Sequence, residues 1–344
     1  MTSPLEIAKR VKTRSTGRIF SLPVLVLMPH SRCNCRCVMC DIWKANKAGT
    51  EISAEDLEHH LLSFRRLRVR RFVLSGGEAL MHSNLFTLCE MLKRRRVKIT
   101  LLSSGLLLRP FAEQIVKWCN EVIVSLDGSP DVHDRIRNVP RAFDKLAGGV
   151  ARLRELNPKF RITGRCVIQK RNYFDLGNII STARVIGLNR ISFLAADITS
   201  PAFNHDVPFG NAADVALTPE ETKHFELVID NVLRSQKNDF DSGFVAESPE
   251  RIRDLLRHYR ALNDNDSFPE KTCNAPWVSA VIEADGNVRP CFFHEPYGNM
   301  YENSLESILN SDEAVGFREN LDMDDDPTCR RCVCTLNMPT YSRA

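Results

Sequence analysis

From residue 23 to about residue 235 the sequence alternates short apolar runs with longer amphipathic stretches, and this rhythm limits the possible folds more than any single residue does. A short apolar run bounded by polar turns packs as a buried strand, and an amphipathic stretch of about ten residues or more packs as a helix. The expected strands are 23–28, 71–74, 99–102, 121–125, 162–168 and 190–195, and the expected helices between them are 54–67, 85–94, 111–118, 143–156 and 178–186. Repeated strand–helix units build a parallel sheet, and six units are fewer than the eight of a closed barrel. The expected fold is therefore α/β, a partial (β/α)6 TIM-like barrel with its site at the carboxyl ends of the strands.

The rest of the chain divides around that core. Residues 1–22 form an N-terminal extension, 23–235 the barrel, 236–270 a helical linker and 271–344 a small C-terminal α+β domain. Residues 196–217, with Pro201, Pro208 and Gly210, read as a long loop of the kind that forms lids, and helices are expected at 219–235 and 248–262. The C-terminal domain opens at about Lys271, where apolar runs at 278–283 and 287–290 flank Asp285-Gly286, the positive-φ dipeptide of a β-hairpin. The apolar run at 23–28 is far shorter than the ~20 residues that span a bilayer, and the first seventeen residues are charged without an apolar signal region. The expectation is a cytoplasmic protein with no membrane partner.

A net charge of +4 does not call for a polyanionic partner. Basic clusters at 65–71 and 93–98 lead into strands without interleaved aromatic residues, which suits solvated helix ends better than nucleic acid. Twelve cysteines are many for a reducing compartment, where clustered thiols point to metal. Nine fall in two groups: Cys33, Cys35, Cys37 and Cys40, then Cys273, Cys291, Cys329, Cys332 and Cys334. Cys89, Cys119 and Cys166 stand alone in apolar segments and read as core residues.

Cys33, Cys37 and Cys40 form C-x3-C-x2-C on the loop after the first strand. Three thiolates on a four-iron cube leave one iron with an open position for a ligand, as a catalytic zinc does. A structural zinc or a closed cluster is the alternative, with Cys35 as the further ligand. The loop resembles the signature of the radical S-adenosylmethionine (SAM) superfamily, and Gly76-Gly77-Glu78 follows the second strand as it does there. The resemblance implies a catalytic [4Fe-4S] cluster on Cys33, Cys37 and Cys40 that binds SAM. It also implies that Gly76, Gly77 and Glu78 contact the methionine part of SAM. Ser103-Ser104-Gly105 and Ser125-Leu126-Asp127-Gly128 close the third and fourth strands. By the same resemblance Ser104, Ser125, Asp127, Arg137 and Arg165 contact SAM, with Leu194 and Met39 toward adenine. The residue before the last cysteine is aromatic in most of that family and is Met39 here, with Trp43 three residues past Cys40.

The second group, Cys273 to Cys291 across the hairpin and then Cys329-x2-Cys332, resembles the SPASM or shorter twitch extension of radical SAM enzymes. The resemblance implies one auxiliary [4Fe-4S] cluster on Cys273, Cys291, Cys329 and Cys332. Cys334 either replaces Cys332 or stays free, and a structural zinc on the same thiolates is the alternative.

The reaction implied is reductive cleavage of SAM to a 5′-deoxyadenosyl radical, which abstracts hydrogen from a substrate while the auxiliary cluster accepts an electron. A flavodoxin- or ferredoxin-type donor is the implied partner. About 22 residues precede the first strand, fewer than the peptide-recognition domain of many peptide-modifying members, so the expectation leans to oxidation of a small molecule or natural-product intermediate. No cobalamin-binding domain is expected. The alternatives are a ribosomal peptide maturase forming thioether or carbon–carbon crosslinks, a redox-neutral epimerase, and, from another class, a non-catalytic zinc- or RNA-binding module.

Overall fold

The computed structural model describes residues 4–47, 49–264 and 266–339. The chain packs as two compact units: Met1–Cys33, Ala45–Leu101 and Lys271–Ala344 form one, and Asn34–Lys44 with Leu102–Glu270 the other.

The first unit contains helix α1 (Pro4–Thr16), strand β1 (Val24–Leu27), α2 (Ala54–Arg66), β2 (Arg71–Leu74), α3 (Leu85–Arg94) and the start of β3 (Lys98–Ser103). In α2, Leu57, Leu61 and Phe64 recur every three or four residues and are buried on one face. Ser53 and Asp56 close a reciprocal capping box at its start. β1 pairs in parallel with β2 on one side, Leu25 opposite Phe72, and β2 pairs in parallel with β3.

The other side of β1 is taken by a strand from the far end of the chain. β7 (Ser279–Ile282) runs parallel to β1 with Leu25 opposite Ala280. β8 (Asn287–Arg289) then returns antiparallel beside β7, and β9 (Gly298–Asn299) pairs with β8. The hairpin expected around Asp285-Gly286 is present, with Gly286 at φ +87°. β1 thus lies between two strands, and all four of its residues are buried, as in a strand covered on both faces that needs an unbroken apolar run.

The second unit holds α4 (Ala112–Trp118), β4 (Glu121–Ser125), α5 (Pro130–Arg137), α6 (Ala142–Leu156), β5 (Arg161–Ile168), α7 (Leu176–Val185) and β6 (Arg190–Ala195). β5 lies between β4 and β6, parallel to both. Its side chains alternate: Ile162, Cys166 and Ile168 are buried, while Thr163, Arg165 and Val167 on the opposite face are only half-buried.

The segment expected as a linker is an integral part of this unit. Helix Pro249–Leu262 packs on β6 and on helix Pro219–Ser235 and buries Ile252, Leu256 and Tyr259. The Tyr259 hydroxyl donates to the Ile168 carbonyl and accepts from the Ala196 N–H at 3.0 Å, so it joins the ends of β5 and β6. Among the described residues no helix is long and apolar enough to cross a membrane.

Tyr259→Phe strands that carbonyl and that N–H in the core. Urea unfolding should show a loss of about 1–3 kcal/mol. An unchanged midpoint would mean that the hydroxyl does not join the strand ends.

Candidate functional site

In the first unit, the loop after β1 is fixed by backbone groups. The Cys33 N–H donates to Asn46 Oδ1 at 2.8 Å, and Asn46 Nδ2 donates back to the Cys33 carbonyl at 3.0 Å. Gly77, beyond β2, packs so closely on this loop that a Cβ there would lie 2.1 Å from the Arg32 carbonyl oxygen. Gly76 has φ +106°, which glycine adopts without strain. The Glu78 N–H donates to the same Arg32 carbonyl at 2.9 Å. Glu78 is fully buried, and its carboxylate accepts from the Leu80 N–H. His30 completes the seam, because its Nδ1 accepts from the Arg32 N–H while its Nε2 donates to the Glu78 carbonyl. Those bonds fix one neutral tautomer, and burial holds the ring's pKa below its ordinary value.

In the second unit, the segment carrying Cys35, Cys37 and Cys40 completes the end of α5. The last carbonyls of a helix have no partner within it. Here the Arg36 and Val38 N–H groups donate to the Arg137 and Ile136 carbonyls at 3.2 and 3.3 Å. Arg137, buried, forms an ion pair with fully buried Asp127 and donates from Nη1 to Cys37 Sγ at 3.5 Å. Asp127 also accepts from the Val167 N–H at 3.0 Å. Both residues, expected to contact SAM, are thus engaged in holding the cysteine segment.

Cys37 is raised well above its ordinary pKa, first by its hydrogen bond with Cys35 and then by burial, while burial pushes Cys40 up to about 12. The long loop expected as a lid clasps the same segment. The Asp41 N–H donates to the Phe203 carbonyl at 3.0 Å, and His205 Nε2 lies 3.3 Å from the Met39 carbonyl. Met39 is buried, and Trp43 lies against the Arg36 guanidinium. Ser104 Oγ donates to Asn34 Oδ1 at 3.1 Å. Ser125 and Arg165 stand opposite each other on β4 and β5, and Leu194 stands opposite Val167 on β6. All four lie on the half-buried face of their strands, which leaves them accessible to a ligand.

The C-terminal cysteines form a second centre within the first unit. Burial pushes Cys291 up to about 11 and raises Cys329 and Cys332 as well, and the charge of Cys273 acts on all three. Backbone N–H groups face these sulfurs: Phe293 and His294 toward Cys291, Ala275 toward Cys273 at 3.4 Å and Cys334 toward Cys332 at 3.4 Å. Asp326 caps the helix Pro327–Arg331 and accepts from the Cys329 N–H at 2.7 Å. As bare thiols, Cys37, Cys40, Cys291, Cys329 and Cys332 stay protonated at neutral pH. Bound iron supplies the positive charge that deprotonates a coordinating thiol, so both cysteine groups fit iron–sulfur ligation.

Several participants were not read from the sequence. His294 lies 3.4 Å from Cys329 Sγ, and the C-x2-H spacing from Cys291 was the available signal. His30, Asn46 and His205 act on or through backbone groups, which leaves no spacing to read.

Two family models match the chain: the radical SAM superfamily over residues 27–182 and the SPASM iron–sulfur cluster-binding domain over residues 273–333. The antilisterial bacteriocin subtilosin biosynthesis protein AlbA of Bacillus subtilis is 22% identical over 81% of this chain and 58% of its own length. The chain therefore matches little more than half of that relative. The Fe-coproporphyrin III synthase of Methanosarcina barkeri is 28% identical over 94% of this chain and 84% of its own length. Among solved structures, Streptococcus suis SuiB bound to its precursor peptide SuiA superposes with a TM-score of 0.65 at 14% identity, covering 90% of this chain and 70% of SuiB. That likeness is one of fold, the partial α/β barrel with a small C-terminal domain.

Two outcomes follow from the geometry. Gly77→Ala should displace the Arg32–Cys33 backbone and lower the iron retained after anaerobic reconstitution, and full iron content would show that the close approach is dispensable. Arg137→Leu leaves the Asp127 carboxylate buried and unpaired, a loss of about 3–5 kcal/mol in urea unfolding. Adding Asp127→Asn should return much of that loss.

Proposed function

Because the chain belongs to the radical SAM superfamily and carries a SPASM-type iron–sulfur domain, we propose that it oxidises a peptide substrate, with one cluster on Cys33, Cys37 and Cys40 and an auxiliary cluster on Cys273, Cys291, Cys329 and Cys332. The observation that carries the oxidative reading is the second group of half-buried, mutually interacting thiols, since a cluster there would supply a site for the electron removed from substrate. SAM held at the first cluster would supply the hydrogen-abstracting 5′-deoxyadenosyl radical.

The protein's own residues position the reactants. Gly76 and Gly77 are the candidates for backbone contact with the methionine moiety, and Gly77 also packs against the Arg32 carbonyl. Ser104, Ser125, Arg165 and Leu194 are the candidates for the ribose, carboxylate and adenine, with Met39 at the edge of the cysteine segment. Glu78, Asp127 and Arg137 hold the surrounding backbone and the Cys37 sulfur. A flavodoxin- or ferredoxin-type protein is the proposed electron donor. Nine of the twelve cysteines cluster at metal-ligand spacing, which supports a reducing, cytoplasmic setting.

The peptide reading is supported by the likeness to a bacteriocin biosynthesis protein. A second reading, a tetrapyrrole with carboxylate side chains, is favoured by the match to Fe-coproporphyrin III synthase over nearly the whole chain.

Replacing Cys273 and Cys291 with Ala should leave 5′-deoxyadenosine formation intact but abolish the product that has lost two hydrogens, whereas Cys33→Ala should abolish both. Oxidised product from the Cys273→Ala, Cys291→Ala variant would overturn the electron-acceptor role. Mass spectrometry of reactions supplied with synthetic precursor peptides or with iron tetrapyrroles bearing carboxylate side chains separates the two substrate readings.

A further inference from the structure

We propose that His294 is a positioning residue of the auxiliary centre, donating a ring N–H hydrogen bond to the Cys329 sulfur and so making the cluster easier to reduce. The role rests on the ligand set given above, in which Cys329 is one of four thiolates.

The geometry determines which ring nitrogen acts. His294 Nε2 lies 3.4 Å from Cys329 Sγ and 3.8 Å from Asp326 Oδ1. A thiolate and a carboxylate both only accept, so the nitrogen between them carries the hydrogen. The ring has little freedom to leave. Its side chain is only 10% exposed, and its edge packs on Phe317 with ring centres 4.9 Å apart. The His294 carbonyl accepts from Arg289 Nη1 at 3.0 Å, and Arg289 Nε donates to Glu283 at 2.6 Å, which anchors the residue to the β7–β8 hairpin. Asp326 is held in turn by its bond from the Cys329 N–H. Imidazole, carboxylate and sulfur thus form one braced unit.

The consequence is electrostatic. A reduced cluster carries more negative charge on its sulfurs, so a hydrogen bond to sulfur favours reduction, and such bonds are among the features that set cluster potentials. The same three side chains lie within 4.8 Å of one another and include three possible metal donors, so direct ligation by His294 is the competing role.

The test uses the full chain carrying Cys33→Ala, Cys37→Ala and Cys40→Ala, so that only the auxiliary cluster is present and no turnover is involved. After anaerobic reconstitution, iron is counted and the potential is measured by EPR-monitored redox titration. His294→Leu should keep its iron and become harder to reduce by roughly tenfold in the equilibrium constant, about 59 mV for one electron. His294→Gln, which keeps an N–H donor, should recover most of the shift. An unchanged potential in the Leu variant overturns the proposal, as does loss of iron from both variants, which would make His294 a ligand. Cys329→Ala in the same background should lose iron. Should it keep its iron, the ligand set itself falls, whereas iron loss there with an unchanged potential in His294→Leu sinks the histidine's role alone.

Discussion

A cysteine ligand must be an anion, and an anion withdrawn from water is costly unless positive charge stands beside it. Both cysteine groups face this constraint and meet it with different protein groups. Around Cys37 the protein supplies a full charge, Arg137, whose own burial is offset by Asp127. Around the C-terminal cysteines it supplies N–H dipoles from Ala275, Phe293, His294 and Cys334. In each case iron provides the larger share of the positive charge, so metal content and local order should be closely coupled.

The same economy of backbone governs the first loop. Cys33 is held by a side-chain amide and a glycine, and the segment from Cys35 to Cys40 by the open carbonyls of α5. Positioning through main-chain atoms leaves the side chains of the cysteine loop available for ligands. It also explains why Gly77 tolerates nothing larger and why α5 must end where it does. The loop 196–217 adds a third constraint through Phe203 and His205.

What could be read in advance follows from how local each signal is. β2, β4 and β6 have the bounds expected from their apolar runs, because burial and strand period act over a few residues. The two cysteine groups were legible because ligand chemistry is rare and spaced. α5 was hidden in a stretch read only for Arg137, although Pro130 at its first turn is a helix-start signal. The partner of Arg137 was illegible for another reason: the ion pair with Asp127 depends on two elements meeting in space, and a buried arginine gives the same letter as one that binds a ligand. The placement of β7 against β1 likewise has no local signature beyond the unbroken apolar character of β1.

That pairing has a consequence for how the chain is made. β1 leaves the ribosome well before its second neighbour, which is not complete until residue 282. At ordinary translation rates the interval is roughly tens of seconds, during which one edge of an apolar strand has no native partner. Exposed strand edges invite pairing with other chains, and contacts so distant in sequence form slowly. Nascent chains released before the C-terminal hairpin should therefore be sticky, and chaperone dependence should fall sharply once β7 has been made.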